Sequence, residues 1–199
     1  MKIKHSHPQT TLLPWLTAFT CAAAMLASSS QAEFHLWSIR ELYTNLDGTQ
    51  QFIEFSDSFG GQQFVSSQQI QVTDQAGTTT HTFMIPNNLP GESFNRAFLI
   101  ATSSFAAAPG AVTPDFIIPD GFLFADGGTI DFFGLNSGTY NALPTNGILS
   151  RDFEGNTNQS NSPQNFAGAV GHVAPEPTTW ALLGVVGLGC CFLMRRRAA

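Results

Sequence analysis

A chain of 199 residues with 43% hydrophobic residues has room for one globular domain, and its formal net charge of -6 conceals an uneven distribution. Between Glu33 and His172 stand thirteen Asp or Glu against three Arg (Arg40, Arg96, Arg151) and no Lys, a net charge of -10. A body of that charge is repelled by nucleic acid and by anionic lipid, which argues against a DNA- or RNA-binding role.

The amino end reads as a signal peptide over residues 1–32. Lys2 and Lys4 supply a positive start, Leu12 to Leu26 a mostly apolar stretch, and Ser30-Gln31-Ala32 the small residues that signal peptidase inspects. Cleavage is expected after Ala32, with the body exported across the inner membrane. The alternative, an uncleaved anchor, is disfavoured because Pro14 breaks the apolar run and Ala-Ser-Ser-Ser-Gln-Ala closes it. Cys21 lies in this segment and Cys190 and Cys191 near the other end, so the body has no thiol for a disulfide, a nucleophile or a Cys-ligated metal.

Strand signals dominate residues 33–155. Phe34 to Tyr43 alternates, placing His35, Trp37, Ile39, Glu41 and Tyr43 on one face. Gln51 to Ser56, Gln69 to Thr73, Thr80 to Ile85 and Arg96 to Thr102 follow, with shorter runs at Phe116 to Ile118, Phe122 to Phe124 and Thr129 to Phe133. Turn chemistry separates them, as in Asp47-Gly48, Gly60-Gly61, Asp120-Gly121 and Asp126-Gly127-Gly128. Ser103 to Ala108 is the one short helix signal, capped by Ser103 or Ser104 and stopped by Pro109. Seven or eight short strands predict an all-β, antiparallel β-sandwich, with a barrel as the alternative. Ile39-Arg40-Glu41-Leu42-Tyr43, Phe52-Ile53-Glu54-Phe55, Phe64 to Ile70 and Leu89-Pro90-Gly91 before Ala97 to Ala101 are similar to the lamin-tail type of immunoglobulin-like domain. That resemblance covers the first half of the body and implies an immunoglobulin-like sandwich; Gln68-Gln69 stands where the family has Gly-Trp. Residues 156–174, polar and poor in hydrophobics except Phe166, read as a linker or a last irregular segment.

No Gly-x-Ser-x-Gly elbow, His-Glu-x-x-His or phosphate loop occurs, and the body is expected to be non-catalytic. Candidate ligand-contact residues are Trp37, Glu41 and Glu54. The two glutamates sit in otherwise apolar strands; pairing of those strands would bring them together as a glycosidase acid/base pair requires, with a structural pair as the alternative. No cofactor is expected. Asp47, Asp57, Asp120, Asp126 and Asp131 leave calcium as an alternative, without EF-hand spacing. The readings kept open are a cell-surface or extracellular-matrix component, a carbohydrate- or partner-binding module using Trp37, Tyr43 and Tyr140, and a glycan hydrolase using Glu41 and Glu54.

At the carboxyl end, Pro175-Glu176-Pro177 precedes 17 uncharged residues, 178–194, and then Arg195-Arg196-Arg197. As a helix that run covers about 25 Å, enough to cross a bilayer core, and the arginines put its end on the cytoplasmic side. Triplet, apolar run and basic cluster in this order resemble the PEP-CTERM sorting signal over residues 175–199. The resemblance implies processing by exosortase near Pro175 to Pro177, transient anchoring in the inner membrane, and a final place at the cell surface or outside the cell in bacteria that make exopolysaccharide.

Overall fold

Ten strands and one short helix form over residues 35–173, the part of the chain that the computed structural model describes. In chain order they are β1 (Ser38–Thr44), β2 (Gln51–Asp57), β3 (Gln69–Asp74), β4 (Thr80–Met84), β5 (Arg96–Thr102), α1 (Ser103–Ala106), β6 (Phe116–Ile118), β7 (Gly127–Phe132), β8 (Asn136–Asn141), β9 (Leu149–Asp152) and β10 (Thr157–Ser160). They make a six-stranded sheet, β10-β9-β1-β2-β5-β6, and a four-stranded sheet, β4-β3-β7-β8. The expected signal peptide 1–32 and apolar span 178–194 lie outside the described residues. Among the described residues no helix is long and apolar enough to cross a membrane.

One apolar core joins the sheets. Ile39, Leu42, Ile53, Phe55, Phe98 and Ile100 point inward from the six-stranded sheet and meet Ile70, Val72, Ile130 and Phe132 from the four-stranded one. Phe55 stacks on Phe98 at 4.5 Å between ring centroids and lies 4.9 Å from Phe132, so three rings bridge the layers. Each buried ring contributes roughly 1.5–3 kcal/mol through area alone, which supplies cohesion without a crosslink.

The six-stranded sheet is buried on its outer face as well. There Tyr43, Phe52, Leu99 and Ala101 form a second cluster with Phe105 of α1, Val112 and Val173. Phe52 stacks on Tyr43 at 5.1 Å and meets Phe105 edge-on at 5.2 Å. Cover on both faces leaves β2 and β5 buried at almost every position, whereas β4 and β8 alternate between more and less exposed residues.

Several details differ from the sequence expectation, among them the run Phe122 to Phe124, which is not a strand. The sheets are not wholly antiparallel: β6 pairs with β5 in parallel, after a crossover through α1 and the loop that follows it. The helix is capped by Thr102, whose hydroxyl accepts from Phe105 N–H, and ends at Ala106. A register shift between Ile39 and Glu41 bulges β1 at Arg40, so Ile39 joins the inner core while Glu41 shares the outer face with Tyr43. Finally, residues 156–173 are not a linker. β10 pairs with β9, and the segment after it packs back on the sheet, with Val173 buried in the outer cluster and Phe166 in the main core.

Candidate functional site

Glu41 and Glu54 stand directly opposite one another on β1 and β2, and the bulge at Arg40 is what turns Arg40 and Glu41 to the same side of the sheet. Both glutamates are completely buried. An isolated carboxylate in such a place would cost several kcal/mol, so its partners decide its role. Ser162 covers Glu41, donating its backbone N–H to Oε1 at 3.0 Å and its hydroxyl to Oε2 at 3.2 Å. Gln164 covers Glu54, donating its N–H to Oε2 at 3.1 Å, while Arg40 forms an ion pair with Oε1 at 2.5 Å. Burial pushes the Glu54 carboxyl up to about 7; Arg40 pulls it down and the neighbouring Glu41 pushes it up further.

A third acid does the same work two strands away. Asp115 Oδ2 accepts from Leu99 N–H at 2.8 Å and from Phe166 N–H at 2.9 Å, and burial raises its carboxyl above the ordinary range. Arg96 closes the other side of Phe166, donating to its carbonyl at 3.0 Å and lying 5.5 Å over its ring. The segment 161–173 is thus a strap fastened to the sheet by three carboxylates and an arginine.

The end of the strap is held by Asn161, whose side chain is buried. Its amide donates to Ile148 O at 2.6 Å and Val173 O at 2.8 Å, and its Oδ1 accepts from Val173 N–H at 2.8 Å. An asparagine amide here pairs with both backbone groups of Val173 as a strand neighbour would. His172 N–H donates to Gly110 O at 3.0 Å, and a Cβ on Gly110, where φ is +80°, would overlap the His172 carbonyl. Only glycine lets the two backbones come this close.

The remaining sequence candidates are not presented to solvent. Trp37 is 1% exposed, its indole N–H donating to Gln62 O at 2.7 Å and its ring meeting Phe98 edge-on at 4.7 Å. Tyr43 and Tyr140 are buried too; burial raises both phenols, Tyr140 to about 12. Of the three candidate ligand contacts, Trp37 is thus placed in the core, and Glu41 and Glu54 hold the strap. The aspartates are dispersed, Asp47, Asp120 and Asp126 in separate turns, Asp57 at the end of β2 and Asp131 within β7. Asp57 is occupied by Phe59 and Gly60 N–H and by Ser93 Oγ, and Asp131 by Gly134 N–H. Among the described residues no three His, Cys, Asp or Glu side chains come together as a metal site.

Two surface concavities are lined by described residues. One, of about 540 Å³, lies between the β3–β4 turn (Asp74, Gln75, Ala76) and Phe124 to Gly127, and of the sequence candidates Asp126 alone lines it. The other, of about 240 Å³, is lined by Arg40, Arg96, Asn95, Ser56, Ser58 and Gln164, with Asp57 and Ala97 completing it. Asn161, Ser162, Gln164 and Asp115 were not singled out from sequence. The one readable sign was Phe166, an apolar ring in a polar run.

The strap leads into the most informative part of the chain. Residues 173–197 match the family model of the PEP-CTERM protein-sorting motif. The chain carries a PEP-CTERM sorting signal. Its first matched residue, Val173, is the last buried residue of the described body. The PEP-CTERM signal marks the protein for export, sorting to the surface or beyond, and processing by exosortase. The residues expected to act in it, Pro175, Glu176, Pro177, Arg195, Arg196 and Arg197, lie outside the described residues, as do Ser30 and Ala32 at the expected signal-peptidase cut. The motif covers one end of the chain and leaves the body unassigned; no curated protein and no solved structure matches the chain.

Proposed function

We propose that this is an exported, non-catalytic protein of the cell surface or extracellular matrix, associated with exopolysaccharide. It is delivered by a cleaved signal peptide, anchored in the inner membrane by the span 178–194, and released near Pro175 to Pro177 by exosortase. The observation that carries the reading is the PEP-CTERM motif running on directly from a folded acidic body. The body supports a passive role through the use it makes of its reactive groups. The glutamate pair that a glycan hydrolase would need is covered by Ser162 and Gln164, and the aromatics that a carbohydrate-binding module would display are packed inside. Two sheets around a shared core support the sandwich reading, with the parallel β5–β6 pair as its departure from an immunoglobulin-like pattern.

Intact-mass measurement on protein from the envelope and medium of the native host tests this. The released form should begin at Glu33 and lack everything after about Pro177. Replacing Pro175-Glu176-Pro177 by alanines should leave it in the inner membrane. Released protein that still contains Arg197 would refute the processing step.

A further inference from the structure

We propose that the strap-bearing face of the body docks on the anionic headgroups of the membrane while the tail holds the protein there. This rests on the anchored reading above and adds to it an orientation and a lipid partner.

Three observations point to that face. The first is where the chain leaves: Val173 is clasped by Asn161, and only four residues separate it from Thr178, about 17 Å if fully extended. The surface around Val173 is therefore kept near the lipid. The second is the absence of charge there. No Asp, Glu, Lys or Arg occurs from Gly155 to Val173 or from Ser103 to Pro114, the two segments that meet at Gly110 and His172. The exposed tip of the strap, Ala167 to Val170, is small and apolar. The third is the placing of the cations. The described body has three arginines and no lysine. Arg151 is buried and donates to the carbonyls of Asn156 and Ala142, whereas Arg40 and Arg96 are exposed beside the strap and line the same 240 Å³ concavity with Gln164.

Of the acids nearest this face, Glu54 pairs with Arg40, whose side chain stays 43% exposed, and none of the others pairs with either arginine among the described residues. Glu41, Glu54 and Asp57 are buried and Asp115 is covered by the strap, all with hydrogen-bond donors on their carboxylates. Glu92, the exposed acid closest in sequence to Arg96, is turned onto the N–H groups of Gly61, Ser93 and Phe94. A net charge that repels the body from anionic lipid as a whole thus leaves one face on which approach is favourable. Each arginine at the surface shifts the docked population on the order of 5-fold.

The test uses the full chain with Cys21, Cys190 and Cys191 replaced by alanine. A fluorophore is placed at Ala169→Cys on the strap or at Ala76→Cys on the opposite sheet. The protein is reconstituted in phosphatidylethanolamine–phosphatidylglycerol vesicles carrying headgroup nitroxides. Flotation with the vesicles reads the anchor, and quenching reads the face. The expected result is flotation of both samples, with Ala169→Cys quenched several-fold more than Ala76→Cys and the difference falling when phosphatidylcholine replaces the anionic lipid. Flotation with equal quenching, or no response to lipid charge, overturns the docking face while leaving the anchor intact. Failure to float overturns the anchor and the docking together.

Discussion

Replacing Glu54 with glutamine should make the body more stable at neutral and alkaline pH, although it removes an ion pair. The native carboxyl titrates near 7, against 4.5 for an unperturbed glutamate, because burial disfavours its charge more than Arg40 favours it. Since the folded state holds its proton more tightly, nothing is lost below pH 4.5. Stability falls as pH rises through the interval and the full penalty is present above pH 7. A difference of about 2.5 pH units corresponds to about 3 kcal/mol at most. Asp115 is shifted in the same direction and adds to the fall, while the lowered carboxyls of Asp47, Asp74 and Glu92 act only in more acid solution. Glutamine keeps an oxygen for Gln164 N–H and carries no charge to desolvate. Urea unfolding of residues 33–173 reads the effect through Trp37, the sole tryptophan of that segment. The wild type should lose on the order of 3 kcal/mol between pH 5 and pH 8, and Glu54→Gln most of that slope. A variant with the wild-type slope, or one destabilised equally at both pH values, would refute the account of Glu54 as a buried acid kept partly neutral.

The clasp and the close backbone crossing give further expectations. Asn161→Ala removes three hydrogen bonds and strands both backbone groups of Val173, so a loss of about 2–4 kcal/mol is expected, with hydrogen exchange rising first at Val173. Gly110→Ala should cost at least about 2 kcal/mol, because a methyl would meet the His172 carbonyl. Gly77→Ala, at φ +71° in open space, should cost only about 1 kcal/mol by the same melt. Phe98→Ala, emptying the ring position that contacts Phe55, Trp37 and Phe132, should cost about 3–5 kcal/mol in urea titration.

The all-β class and the central strands were legible because each carries a run of apolar or alternating residues bounded by glycine or proline turns. β2, β3, β4, β5 and β6 fall where those runs predict them. What could not be read was phase. A perfect alternation from Phe34 to Tyr43 puts Ile39, Glu41 and Tyr43 together, yet one extra residue at Arg40 sends Ile39 to the other side. A bulge leaves no mark in hydropathy. β8, β9 and β10 were invisible for a different reason. Their sequences, Asn136 to Asn141, Leu149 to Asp152 and Thr157 to Ser160, are polar at the sheet margin, where strand pairing comes from backbone bonds rather than buried side chains. The strap was misread for the same cause: its affinity for the sheet lies in N–H groups aimed at Glu41, Glu54 and Asp115. The adjacency of Glu41 and Glu54 was correctly expected, but whether two paired acids face a cleft or lie under a cover depends on residues 121 and 110 positions away.

Those separations have a consequence for the order of events in biogenesis. Glu41 is synthesised long before Ser162, which covers it, and Val173, which seals the outer cluster, is the last body residue to arrive. A chain truncated before Ser162 lacks the donors that Glu41, Glu54 and Asp115 accept from the strap. The clasp on Val173 thus closes the body at the residue where its sorting label begins.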